Sequence, residues 1–251
     1  MLKFVANISF LFKDLTIPER IHAATANGFH GVELLFPYDD PVPPIQQALS
    51  ATGLPMVLIN APPPNYAGGT RGFAAIPGAE ERFRYDLRRT LRYARSLHTR
   101  FVHVMAGAGS GDDARAAFVS NLRYAAAEAP DRTFTIEPIN QDDMPGYFLS
   151  DFDLAAEILD EVGAHNVALQ FDVYHAQKIT GDAMAVWSRH GHRARHIQIA
   201  GLPDRHEPVA GVVDYPAFFR HLESIGYDGY VSAEYHPANG TEAGLGWMPR
   251  D

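Results

Sequence analysis

Eight short apolar runs, separated by longer stretches of helical periodicity, leave this chain few folds to choose from. The runs are residues 4–9, 31–36, 55–60, 100–105, 133–138, 167–172, 196–200 and 229–234. Most are near-continuous in Val, Ile, Phe and Leu, the pattern of strands covered on both faces. Between them, residues 17–27 lead to Gly28, residues 80–97 set Phe83, Leu87 and Leu91 on or near one face, and residues 112–129 open on an acidic capping candidate. Residues 152–162 open on Ser150-Asp151 and close on Gly163, and residues 215–224 close before Gly226. Strand and helix in alternation imply a parallel sheet. Eight such units in 251 residues predict an α/β fold, a closed (β/α)8 TIM barrel in preference to an open doubly wound sheet. Residues 1–251 are expected to form one domain. The proline runs at 41–44 and 62–64 read as stiffened βα loops. The loop at 60–78, with Gly68, Gly69 and Gly72, has the length of an active-site lid.

Composition narrows the function classes. Hydrophobic residues make up 46% and charged residues 20%, enough for a sizeable core. The formal net charge is −9, and lysine occurs only as Lys3, Lys13 and Lys178. The arginines of residues 82–95 stand with Glu81 and Asp86 at helical spacing, as on a solvated helix face. No basic tract could follow a phosphate backbone, which argues against nucleic acid as a partner. The absence of cysteine excludes disulfides, thiolate nucleophiles and Cys-ligated zinc. No secretory pattern is visible, and no apolar run approaches the roughly 20 residues of a membrane helix. A cytoplasmic enzyme without a membrane partner is expected.

The informative acids stand at strand ends. Glu137 falls at the end of the fifth run, Asp172 ends the sixth, Gln198 lies in the seventh and Glu234 ends the eighth. They are spaced 35, 26 and 36 residues apart, close to one βα unit each. Four neighbouring strands would then aim four oxygen-bearing side chains at the C-terminal mouth, where enzymes of this fold keep their active sites. Carboxylates inside apolar strands are costly unless paired or bound to a cation. Glu137, Asp172, Gln198 and Glu234 are therefore the expected metal ligands. Their hard oxygen donors suit Mg2+ or Mn2+.

Other polar residues carry weaker signals. His175 follows Asp172 closely, either near substrate or as a loop histidine bonded to backbone. Glu33, inside the second run, either binds substrate, orients a ligand or forms a structural ion pair. His103 and His196 lie within strands and read as satisfied core or rim histidines. Gly107, Gly109 and Gly111 precede a helix, but lack the dinucleotide-binding spacing and read as a flexible loop. No Walker loop and no nucleophile elbow is present.

Several blocks resemble a known family. Ala6-Asn7-Ile8-Ser9, Ile136-Glu137-Pro138-Ile139-Asn140, residues 171–177, His196-Ile197-Gln198-Ile199-Ala200, Arg205-His206-Glu207-Pro208 and residues 241–247 are similar to the hydroxypyruvate isomerase group of the xylose-isomerase-like sugar isomerases and epimerases. The resemblance runs over nearly the whole chain. It implies that Glu137 and Glu234 transfer protons as well as bind metal, and that the reaction converts hydroxypyruvate to tartronate semialdehyde through an enediolate. A 2-oxo-tetronate isomerase or a ketose 3-epimerase would use the same site. A metal-dependent phosphoesterase and a non-catalytic sugar-acid binder are the rivals of other classes. For a substrate carboxylate, Arg71 is the first candidate partner and Lys178 the second. His175 is expected on a substrate hydroxyl or on a metal-bound water. Residues 59–68 depart from the family pattern, as does Gly211-Val212, so the substrate is the least determined feature. The resemblance also suggests a homo-oligomer, with Trp247 at an interface.

Overall fold

The structure, a computed structural model, describes residues 1–62, 71–209 and 211–249. The lid reading of the loop at 60–78 depends on residues 63–70, which lie outside the described residues, Pro63, Pro64, Gly68 and Gly69 among them.

Eight parallel strands close into a barrel in sequence order, the last pairing with the first. They are β1 (Lys3–Asn7), β2 (Val32–Glu33), β3 (Met56–Ala61), β4 (Phe101–Val104), β5 (Thr133–Ile136), β6 (Val167–Asp172), β7 (Ala194–Ile199) and β8 (Tyr230–Ala233). The helices are α1 (Ile17–Ala26), α2 (Val42–Thr52), α3 (Glu80–Ser96), α4 (Gly111–Glu128), α5 (Phe152–Val162), α6 (Val173–Thr180), α7 (Ala183–His190) and α8 (Tyr215–Ser224). The fold is the (β/α)8 TIM barrel that the eight-fold alternation predicts. Among the described residues, no helix is long and apolar enough to cross a membrane.

The main core lies between the barrel and the helices. α3 shows why its sequence folds there: Phe83, Leu87, Leu91 and Ala94 recur at helical spacing and are buried, while Arg84, Arg88 and Arg92 face solvent. α5 has the expected caps. Asp151 accepts from the Leu154 N–H at 2.7 Å, and Gly163 takes the left-handed conformation at φ 66°.

The differences from expectation have local causes. The prolines at 41–44 open α2 instead of stiffening a loop, because proline fits the first helical turn, where no N–H is needed. β2 is only two residues long. A register shift lies between Val32 and Glu33, and the Leu35 N–H then turns to the Ser9 hydroxyl at 2.9 Å. β5 stops at Ile136, ahead of Pro138, which has no N–H to give. Ser110, not Asp112, occupies the cap of α4. His175 is not on a loop, because α6 starts directly from β6. Trp247 packs inward, edge-on to Phe4 at 5.4 Å, and its Nε1 donates to the Tyr235 hydroxyl at 3.2 Å.

Candidate active site at the barrel mouth

The four residues expected from strand ends stand on neighbouring strands. Glu137 sits one residue beyond β5 and Glu234 one residue beyond β8, where its N–H donates to Ile199 O at 3.1 Å. Asp172 is the last residue of β6 and lies in register with Gln198 of β7. All four are buried.

Asp172 has two tasks. It ends β6 and caps α6, its Oδ1 accepting from the Tyr174 N–H at 2.7 Å and the His175 N–H at 3.3 Å. Its Oδ2 is left facing the mouth, where Arg205 Nη2 approaches it at 3.3 Å. The same Nη2 lies 3.3 Å from Glu234 Oε2. The guanidinium rests 4.9 Å over the Tyr174 ring and 5.6 Å over the Phe10 ring. Its backbone is left-handed at φ 56°, an unusual conformation for a residue with a Cβ that costs about 1–2 kcal/mol. Such strain persists where the surroundings hold it, commonly at functional positions.

One guanidinium does not balance three buried acids. Burial, then the charges of Glu234 and Asp172, push the Glu137 carboxyl well above the ordinary range. Burial also raises Glu234 well above it, against the pull of Arg205. Glu137 Oε1 is buried with no hydrogen-bond partner among the described residues. A divalent cation fits this donor set on three counts: excess negative charge, an orphaned carboxylate oxygen, and hard oxygen ligands.

Glu137, Asp172 and His175 offer ligand atoms within 4.8 Å of one another. The protonation of His175 decides its part. Asn140 Oδ1 accepts the backbone N–H of Asp143 at 3.0 Å, an obligate donor. Asn140 therefore turns its Nδ2 to Asp143 Oδ2 at 3.1 Å and to His175 Nδ1 at 2.7 Å. Nδ1 is then an acceptor, so the ring proton is on Nε2, which lies 3.6 Å from Asp172 Oδ2. Burial lowers the His175 pKa to about 4, so the ring is neutral at neutral pH. His175 thus presents an N–H to the mouth, suited to a substrate oxygen and not to a cation.

The remaining expected residues divide. Lys178 gives its charge to the rim, 3.2 Å from Asp142 and 3.3 Å from Asp143, away from the acid cluster. Arg71 is exposed at the edge of the described residues. Beside it, Gly72 at φ 106° passes so close to β4 that a Cβ would stand 2.3 Å from Met105 O. The arginine that reaches the acids is Arg205. Sequence reasoning missed it, although its signal was present: a lone arginine in the loop after the seventh strand, facing three acids in need of charge. His103 was set aside as a core histidine, yet its Nδ1 lies 3.5 Å from Glu137 Oε2.

A closed parallel barrel with an acidic, cation-suited mouth defines a class of (β/α)8-barrel enzymes. The model of the xylose isomerase-like TIM barrel family matches residues 21–250, and the chain belongs to that family as one of its isomerases. The 2-oxo-tetronate isomerase of Cupriavidus necator is 44% identical, the alignment covering 99% of this chain and 98% of that protein. The hydroxypyruvate isomerase of Escherichia coli is 39% identical, with 99% and 98% covered. The crystal structure of an AP endonuclease, family 2, from Brucella melitensis superposes with a TM-score of 0.95 at 42% identity, covering 100% of both chains.

Proposed function

We propose that this protein isomerises short 3-hydroxy-2-oxo acids, with hydroxypyruvate the smallest substrate and 2-oxo-tetronate the next. Both share one reacting unit, a hydroxyl-bearing C3 beside a C2 carbonyl and a carboxylate. The observation that carries the reading is the group of three buried mouth acids, Glu137, Asp172 and Glu234, with Glu137 Oε1 accepting no hydrogen bond among the described residues.

The protons must balance. A C–H bond breaks at C3 and one forms at C2, while the hydroxyl proton passes from O3 to O2. Glu137 and Glu234 are the acids for the two carbon positions. Burial shifts both carboxyls upward, toward groups that can take up and return a proton. The neutral His175 donates its Nε2–H to a substrate oxygen. Arg205 supplies the cation that a substrate carboxylate needs, in the role expected of Arg71 or Lys178. Glu137, Asp172, Gln198 and Glu234 would hold Mg2+ or Mn2+. When bound, the ion supplies Lewis-acid stabilisation of the charge that builds on the two oxygens of the enediolate.

The test is NMR of metal-depleted protein with each acid in D2O, with and without Mn2+ or Mg2+. The expected result is metal-dependent appearance of the 2-hydroxy-3-oxo acid, tartronate semialdehyde in the case of hydroxypyruvate. Silence across both acids and a ketose panel would overturn the reading. Metal-dependent nicking of an abasic duplex, the activity that the Brucella protein's name denotes, would replace it. The net charge of −9 and the acidic mouth weigh against a polyanionic substrate.

A further inference from the structure

Below the mouth, the barrel interior carries a hydrogen-bonded chain of which the proposed reaction uses only Gln198. Glu33 of β2 is at its centre and fully buried. Its Oε1 accepts from Asn7 Nδ2 at 2.8 Å and from Gln198 Nε2 at 2.9 Å, and its Oε2 meets His196 Nε2 at 2.7 Å. Gln198 Oε1 accepts from Gln170 Nε2 at 2.7 Å, and Gln170 Oε1 accepts from the Thr135 hydroxyl at 2.9 Å.

The direction of this chain is not free. The backbone N–H of Ser9 can only donate, and it bonds Asn7 Oδ1 at 3.0 Å. Asn7 must therefore turn its NH2 toward Glu33, which makes Glu33 Oε1 an acceptor. Gln198 meets the same oxygen and must also offer its NH2. Its carbonyl oxygen is left on the other side, facing Gln170 with one lone pair to spare. Turned over, the amide would present an NH2 there, with no lone pair for a cation.

We propose that Glu33 is a positioning residue. By holding the Gln198 amide in one sense, it keeps the carbonyl oxygen available to the cation, while itself touching neither cation nor substrate. This rests on the reading of Gln198 as a ligand. Of the roles open to Glu33 in the sequence (binding substrate, orienting a ligand or forming an ion pair), this is the orienting one, and its full burial favours it over substrate contact. His196 pins the second carboxylate oxygen, a use for a histidine first read as core. In Glu33→Gln, three donors from Asn7, Gln198 and His196 would compete for a single oxygen. If the new amide gives its oxygen to His196, its NH2 faces that of Gln198 and turns Gln198 over.

The test is a thermodynamic cycle on Mn2+ affinity, read from free Mn2+ by EPR, so it does not depend on turnover. Wild type, Glu33→Gln, Gln198→Ala and the double variant are compared. Each single change is expected to weaken binding about 10- to 100-fold, as changes in supporting ligand shells do. The double variant should bind within about twofold of Gln198→Ala, since Glu33 then has nothing to orient. If the double variant loses the product of the two single effects, Glu33 acts independently of Gln198 and the proposal fails. Unchanged affinity in Gln198→Ala also overturns it. A wild type that binds no Mn2+ removes the ion reading itself, a separate outcome. Should Glu33→Gln not fold, Asn7→Ser is read in the same cycle, with a few-fold loss expected only where Gln198 is present. Equal loss in both backgrounds would sink the idea.

Discussion

Two buried glutamates lie in the same barrel and meet opposite fates. Glu33, on the floor, has both oxygens engaged. Burial pushes its carboxyl up, but the His196 charge and the hydrogen bonds from His196 and Gln198 outweigh it and hold the pKa below the ordinary value. Glu137, at the mouth, feels the charges of Glu234 and Asp172, and one of its oxygens accepts no hydrogen bond among the described residues. Burial there is reinforced by those acids more than Arg205 opposes it. Depth is nearly the same, at 0% and 5% exposure, so neighbours decide which carboxyl is held below the ordinary range and which is pushed above it.

The sharpest way to break this contrast is to neutralise each acid in turn. Glu137→Gln and Glu234→Gln should each lower turnover by at least about 10³-fold, at the strong end of general acid–base effects. Without added metal, both should melt no lower than wild type, because they remove an uncompensated acid. A lower melting temperature would show that Glu137 is as structural as Glu33. Glu33→Gln should do the reverse to the fold, costing about 3–5 kcal/mol in denaturant unfolding, as broken buried ion pairs do. A cost under about 1 kcal/mol would erase the distinction between floor and mouth.

Asn140→Ala frees the His175 ring to take either tautomer. It should lower kcat/KM about tenfold, near 1.4 kcal/mol, in steady-state assays. Unchanged kinetics would remove the tautomer argument. The acid limb of stability tests His103, whose pKa burial lowers to about 3 from 6.5, with the charges of His175 and His196 adding to the effect. As pH falls below 6.5, the unfolded chain takes a proton that the native state refuses, so stability is lost down to about 3. His103→Gln should therefore show a shallower acid slope, by up to one proton or about 1.4 kcal/mol per pH unit. An unaltered slope in denaturant titrations would show that His103 is already protonated. The smallest effect is expected at the rim. Lys178→Met should change kcat/KM by less than about threefold, since its partly exposed pairs with Asp142 and Asp143 are worth little.

How much of this was legible depended on where each residue lies. The barrel could be read because buried parallel strands leave an apolar signature, and the strand-end acids because they contradict it. α2 was misread because Pro43 and Pro44 signal a helix start as well as a loop. Arg205 and Asn140 lie in loops, where no periodicity says which way a side chain faces. Yet they decide the charge of the mouth and the tautomer of His175. His103 and His196 each had an ordinary core explanation, and only the fold shows that one meets Glu137 and the other Glu33.

The junction at Asp172 also bears on how such an enzyme can be altered. With strand and helix sharing that residue, there is no connecting segment to lengthen. A single glycine inserted before Val173 would displace the two N–H groups that Asp172 Oδ1 accepts and shift His175 on its helix. This wall of the mouth is in that sense a fixed post. Variation that remodels the mouth has more room in the loop between β7 and α8, which brings Arg205 to Asp172 and Glu234. Libraries aimed at new substrates should start there, with Asp172 through His175 left untouched.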